Sequence, residues 1–397
     1  MRTLAITGVG LVTPVGVGAD TFAAALDAHA TLGRSAFRTG STVLEPANLA
    51  DAQVAEAWGF DPTEYLGKKG LRNFDRLTRF MLVSAKLALE GAGLKREGGH
   101  VVLSPDRVGI CSATAYGSLE AINEVVQIAE LEDPRFLNPN RFPNTVINSA
   151  AGYVSIREDL RAPNITVVDG NCGALDAVLT AETHLANDRA DAFIVGGGEV
   201  LSEPLYVAFR KLEALAEGER TYAPGREGTQ GMRMGEGCAY LCLERADAAR
   251  ERGADVRATV VGYGNAFEPP ESEAVLVHAS ELAVARAIRM ALADAKLSAD
   301  DVDLVCASVN GMAAFDRAEL SAIERVLGPN VAVAALKDLL GETFGASGAL
   351  GMAAGAAWLG GAAPGPLVRG TLGSALGVVL VLTVGFYGNV SAVLLAR

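Results

Sequence analysis

Histidine is scarce in this chain, with four in 397 residues: His29, His100, His184 and His278. They fall in a helix-like run, a loop, the helix after Cys172 and a loop–helix junction. None has a motif around it, so surface or satisfied histidines are the reading and no histidine-ligated metal is expected. Cysteine is limited to positions 111, 172, 238, 242 and 306. The pair Cys238 and Cys242 lies in GCAYLCLE, which alternates like a strand, so no paired metal-type spacing exists. An odd count with apolar neighbours points to reduced thiols in a cytoplasm. Positive charge is in deficit, 34 Lys and Arg against 47 Asp and Glu, and the net charge of −13 argues against general nucleic-acid binding and against an anionic membrane surface. The N-terminal run MRTLAITGVGLVTPVG is a glycine-broken β segment rather than a signal peptide. Two uncharged stretches, Thr343 to Val368 and Gly373 to Leu395, are long enough to span a bilayer. The first is mostly Ala and Gly and the second is cut by GFYGN, so a buried helix and a buried hairpin are expected instead. No cofactor is implied.

What remains is an ordinary globular composition, 50% hydrophobic and 20% charged, long enough for two fused halves around a shared core. Strand-like and helix-like runs alternate throughout. LAITGVGLV reads as a strand, and FDRLTRFMLVSAKLALEGAGL as a helix ending on glycine. VGICSATA, ITVVDG and AFIVGGGEV read as strands, with DAVLTAETHLAND as a helix. The pattern closes with GCAYLCLE and restarts at RATVVGYGNAF, followed by a helix from roughly Ala279 to Ala295, strand DLVCASVNG, helix AELSAIERVLG, an Ala-rich helix and a final hairpin. An α/β chain with an internal duplication is expected, its halves spanning 1–250 and 251–397.

Six segments, in order, carry a family resemblance: RTLAITGVGLVTPVG, FDRLTRFMLVSAKLALEGAGL, RFPNTVINSAAGYVSI, VVDGNCGALDAV, DAFIVGGGEV and MGEGCAYLCLE. Together they resemble the β-ketoacyl-[acyl-carrier-protein] synthases. The resemblance implies the thiolase-like fold, a five-layered α-β-α-β-α sandwich from two duplicated βα halves, as a dimer. It also implies a nucleophilic cysteine from the first half and two histidines from the second. Cys172 falls at the nucleophile position. The first histidine position falls on Asn310 in ASVNGMAAFDRAE. The second falls on Glu342 in LKDLLGETFGASGAL, with Lys337 retained before it. Asp316 and Glu319 match the family's acidic pair, and Gly385-Phe386-Tyr387-Gly388 matches its closing loop. The segment NPNRFPNT, matched to the acyl tunnel, places Asn140 and Arg141 beside Phe142, and Val384 stands where a gating phenylalanine is usual.

A cysteine at a helix N-terminus is favoured as thiolate, and the amides of Cys172 and the Phe386 loop would form an oxyanion hole. The plain alternative is a small buried hydrophobe. Condensation also needs donors for the enolate formed when malonate loses CO2. An amide at 310 offers one; a carboxylate at 342 offers none and repels the anion by roughly 4 kcal/mol at 4 Å and an effective dielectric near 20. Lys337 and Glu342 read either as a structural ion pair or as a repurposed base. Asp316 and Glu319 read as capping and salt-bridging residues of the following helix. In GKKGLRNFDRLTR, the residues Lys68, Lys69, Arg72, Arg76 and Arg79 make a basic patch suited to an acidic carrier protein, with Lys68, Lys69 and Arg72 the preferred contacts; a solvated helix face is the alternative. The resemblance is closest in character to a chain length factor of type II polyketide or fatty-acid systems. Such a subunit pairs with a synthase carrying both histidines, although a homodimer stays open. The competing reading is a Cys172-dependent acyltransferase that moves an acyl group from carrier thioester to acceptor without decarboxylation.

Overall fold

The computed structural model describes residues 2–45, 49–97, 99–272, 275, 277–373 and 375–397. Its first half is built around β1 (Leu4–Thr13), α1 (Arg76–Gly91), β2 (Val108–Ala113), β3 (Asn164–Val167), α2 (Gly173–Ala186), β4 (Ala192–Glu199) and β5 (Gly237–Arg245), with further helices at Ala19–Leu32, Leu119–Leu131, Ser149–Glu158 and Glu203–Lys211. The second comprises β6 (Ala258–Phe267), α3 (Glu281–Ala295), β7 (Leu304–Ala307), α4 (Ala313–Leu327), β8 (Ala332–Ala335), α5 (Ser347–Leu359), β9 (Val378–Val384) and β10 (Asn389–Ala396). Strands pair in the order β3-β2-β4-β5-β1 in the first half and β8-β7-β9-β10-β6 in the second. The first three in each set run parallel and the last two join antiparallel. The halves meet where β1 and β6 pair antiparallel, Leu4 opposite Val260 and Ile6 opposite Ala258. Short strands Gly16–Val17 and Leu367–Arg369 add to β1 and β8.

The central helices α2 and α5 lie between the two sets of strands, with α1 outside the first and α3 and α4 outside the second. This is the five-layered thiolase-like sandwich. The Ala-rich α5 is buried along almost its whole length, as an all-apolar helix must be. Residues 378–396 form the expected hairpin, and no helix among the described residues is long and apolar enough to cross a membrane.

The same device seats the outer helix in both halves. A Cβ on Gly8 would lie 2.1 Å from the Ala88 carbonyl oxygen of α1, and one on Gly262 would lie 2.4 Å from that of Ala291 in α3. Glycine is required where a helix backbone rides directly on a strand. Each helix is also capped from its own sequence: Asp75 accepts the Thr78 amide at 2.7 Å, and Ser280 accepts that of Ala283 at 3.2 Å.

Candidate functional site

The turn Gly170–Cys172 joins β3 to α2, with Gly170 at φ +53°, where glycine avoids the clash a Cβ would cause. Cys172 therefore sits at the N-cap of α2. Its surroundings oppose activation by the helix. Its Sγ is wholly buried and contacts the Thr383 carbonyl at 3.5 Å. Burial, then the carboxylates of Asp176 and Asp169, push the thiol far above its ordinary range. Nor is its amide free, as the oxyanion-hole reading requires: it donates to the Asp169 carbonyl at 3.0 Å, closing the turn.

Two neighbours that sequence reasoning passed over shape this turn. Asn171, one residue earlier, reaches the closing loop: its Nδ2 donates to the Val384 carbonyl at 3.3 Å, and its Oδ1 is buried without a partner. Behind Cys172, Asp176 accepts from Tyr263 Oη at 2.6 Å and from Ser391 Oγ. Burial and the adjacent Asp169 carboxyl raise its pKa. The segment VVDGNCGALDAV carried that aspartate in plain view, but only the fold brings Tyr263 and Ser391 to it.

From the second half, Asn310 and Glu342 meet. Asn310 Nδ2 donates to Glu342 Oε2 at 3.1 Å, and Lys337 Nζ donates to the same oxygen at 2.8 Å. Glu342 Oε1 accepts from the Phe344 amide at 2.9 Å and from Ser347 Oγ at 3.1 Å. Glu342 is fully buried. Burial alone would raise its pKa, but Lys337, Asn310 and the Phe344 amide together hold it below the ordinary value. It is an anion in a closed ion pair, with Lys337 also donating to Ser308 Oγ at 3.2 Å. Asn310 Oδ1 accepts the Met312 amide at 3.0 Å, so its carboxamide is engaged at both ends.

Asp316 and Glu319 do not cap or salt-bridge α4. Both are buried, and they turn inward to hold the loop that carries Asn310. Asp316 accepts the amides of Asn310 (2.9 Å), Gly311 and Gly225, and Glu319 accepts that of Ser308 at 2.6 Å. The loop after β7 is tight and leaves amides pointing inward, which only acceptors from the following helix can satisfy.

Phe386 is buried in a ring cluster, 5.6 Å from Phe209, 5.7 Å from Phe315 and 6.1 Å from Phe344 between centroids. Val384 is buried, and its amide donates to Ser308 Oγ at 3.1 Å. The segment matched to the tunnel lies elsewhere. Asn140 and Phe142 are on the surface, Phe142 59% exposed, and Arg141 pairs with Glu124 at 2.6 Å instead of entering the interior. Of the basic patch, Lys68, Lys69 and Arg72 are exposed. Arg76 is ion-paired with the buried Glu236, and Arg79 donates to the Leu71 carbonyl, so neither faces outward freely. Among the histidines, His278 touches the closing loop, its amide donating to the Phe386 carbonyl at 2.6 Å, and its Nε2 is buried without a partner, as are Nδ1 of His100 and of His184. Among the described residues, no group of His, Cys, Asp and Glu is placed to hold a metal ion.

Known proteins share this sequence pattern and this fold. The family described as β-ketoacyl synthase, N-terminal domain, matches residues 1–249, and its C-terminal domain matches residues 257–360. The chain is 30% identical over 364 residues to the 3-oxoacyl-[acyl-carrier-protein] synthase 2 of Coxiella burnetii, covering 88% of this chain and 84% of that one. It is 31% identical over 412 residues to a Streptomyces cyaneus protein named as a polyketide β-ketoacyl synthase 2, covering 99% and 96%. Among solved structures, the ishigamide ketosynthase/chain length factor superposes with a TM-score of 0.86 at 25% identity, covering 100% of this chain and 99% of that one. By fold and by sequence along nearly its whole length, the chain belongs to the β-ketoacyl synthase family.

Proposed function

We propose that this chain is a ketosynthase-like subunit that does not condense on its own, a chain-length-factor-type partner of an active β-ketoacyl synthase in type II polyketide or fatty-acid biosynthesis. One observation carries the reading. The two positions that the resemblance matched to histidines, 310 and 342, hold an amide and an ionised carboxylate bonded to each other, with Lys337 closing the group. Stabilising an enolate requires donors aimed at the developing oxyanion. Here the donors point at Glu342, and Glu342 would repel the anion. Lys337 and Glu342 act as a structural pair that fills the site.

The edge strand β3 supports a partner of the same fold, since its outer edge is unpaired and Val146, Ile147 and Val168 near it are 50%, 40% and 51% exposed. Phe142 and Arg141 lie in the same region and belong to that interface in this reading. The partner is a synthase with both histidines, and an acyl carrier protein docks on Lys68, Lys69 and Arg72. The exposure of those three supports the docking, and the five buried free thiols fit a cytoplasmic setting. The alternative, a Cys172 acyltransferase, draws on the position of Cys172 at the head of α2. It has against it the buried, proton-holding thiol and the occupied amide.

The test is to measure CO2 release from malonyl-loaded carrier by the purified chain alone and with a histidine-bearing synthase co-expressed from the same source. The expected result is no release alone and condensation by the pair. Release by the chain alone at the rate of an intact synthase overturns the reading. An acyl adduct on Cys172 that turns over to an acceptor favours the transferase.

A further inference from the structure

Phe344 is a bulky residue with φ +45°, in the left-handed region that such side chains avoid. Strain of that kind persists only where the surroundings hold it. The holder here is Glu342, whose Oε1 accepts the Phe344 amide at 2.9 Å and whose other oxygen is fixed by Lys337 and Asn310. The ring so placed is 1% exposed. It packs against Phe209 at 5.3 Å and Tyr116 at 5.6 Å, and Phe209 and Phe315 close on Phe386 from the other side. Phe315 and Phe386, at 8% and 6% exposed, lie nearest the surface. The short turn that Phe344 opens, Phe344–Ala346, packs directly on the Asn171–Cys172 turn.

We infer that Glu342 is a positioning residue that holds Phe344 in this conformation, so that the four phenylalanine rings form a plug barring a thioester arm from the Asn171–Cys172 turn. This rests on the reading of the chain as a non-condensing subunit and assigns the residues that enforce it. The carboxylate at 342 is then more than a lost donor. Its charge pair fixes the backbone that carries the plug, and any acyl group extended by a partner is kept out of this chain's own nucleophile turn. Glycine at 344 would remove the ring and adopt the same φ without strain.

The five buried cysteines provide the test. Intact protein is treated with iodoacetamide and the labelled thiols are located by mass spectrometry. In the unaltered chain Cys172 stays unlabelled, whereas Phe344→Gly raises its rate at least tenfold while Cys111, Cys238, Cys242 and Cys306 remain protected. Phe315→Ala, which opens the plug from outside without touching the strained residue, gives a smaller rise at the same single thiol. Lys337→Met combined with Glu342→Leu, which removes the acceptor of the Phe344 amide together with both charges, gives a rise there as well while the other four thiols stay protected. Three outcomes overturn the proposal: ready labelling of Cys172 in the unaltered chain, no change in one or more of these variants, or equal labelling of all five cysteines, which would make the rings packing elements only. None of these touches the pairing with a synthase. Conversely, CO2 release by the isolated chain would defeat the functional reading whatever the cysteines report.

Discussion

The two halves of the molecule share a skeleton and differ in their chemistry. Each sets a strand with a Gly-x-Gly pair under a capped outer helix, and in each the outermost of the three parallel strands, β3 or β8, leads through a turn into a central helix. At those equivalent turns the likeness stops. The first half buries a neutral thiol among carboxyl groups, whereas the second buries a lysine–glutamate pair with its hydrogen bonds complete. Backbone devices that set packing are repeated because both sheets need them. Side chains that set reactivity are not held by that requirement, so the two turns can differ in chemistry on one shared skeleton.

The largest contrast should come from breaking these turns. Lys337→Ala strands a buried carboxylate, and losing one partner of such a pair costs about 3–5 kcal/mol. The double variant Lys337→Met with Glu342→Gln, which removes both charges, should recover most of that loss. At the equivalent place in the first half, Cys172→Ala should cost only about 1 kcal/mol, as the loss of one small buried group does. Denaturant midpoints measure all three, and equal losses in the two halves would mean that the ion pair has no special structural part.

The shared skeleton should instead break alike. Gly8→Ala and Gly262→Ala each drive a methyl into a helix carbonyl, and overpacking of this kind costs about 1–3 kcal/mol. Both belong at the upper end because backbone must move, with Gly8→Ala the worse by its closer approach, 2.1 against 2.4 Å. If Gly262→Ala proved silent while Gly8→Ala unfolded the chain, the equivalence of the halves would fail.

This contrast also marks how far the sequence could be read. The alternation of strands and helices, the restart near residue 256, the buried α5 and the final hairpin follow from periodicity and glycine placement, which act locally. The contact between Lys337 and Glu342 was legible because both lie in one loop. The roles of Asp316 and Glu319 were not, since their helical spacing looks like an exposed face until the amides of residues 308–311 are seen to point at them. Asn171 was overshadowed by the cysteine beside it. Asn140, Arg141 and Phe142 were placed by family position alone, which carries no information about what this chain exposes. Arg76 looked like its basic neighbours until the fold brought Glu236 to it from 160 residues away.

The finest contrast is in pH dependence. Each half buries an acid that has no ion-pair partner among the described residues: Glu199, which accepts the amides of Ala115, Tyr116 and Gly345, and Glu319, which accepts that of Ser308. Burial, only partly offset by these donors, pushes Glu199 up to about 7 and Glu319 up to about 8, from an ordinary 4.5. A carboxyl whose pKa is higher in the folded chain binds more protons folded than unfolded between the two values. Its contribution to stability is therefore full below 4.5 and is lost as pH rises toward the folded pKa, at about 1.4 kcal/mol per unit for each group. Glu319→Gln imitates the protonated acid and keeps the acceptor for Ser308. It should match the unaltered chain near pH 4 and become the more stable of the two as pH climbs to 8. The Glu199 contribution, unchanged in that variant, should level off about one unit lower. Urea unfolding at half-unit intervals of pH reads both. A Glu319→Gln chain weaker by the same amount at every pH would mean that Glu319 is ionised in the folded protein, leaving Glu199 as the only one of these two acids buried in its neutral form.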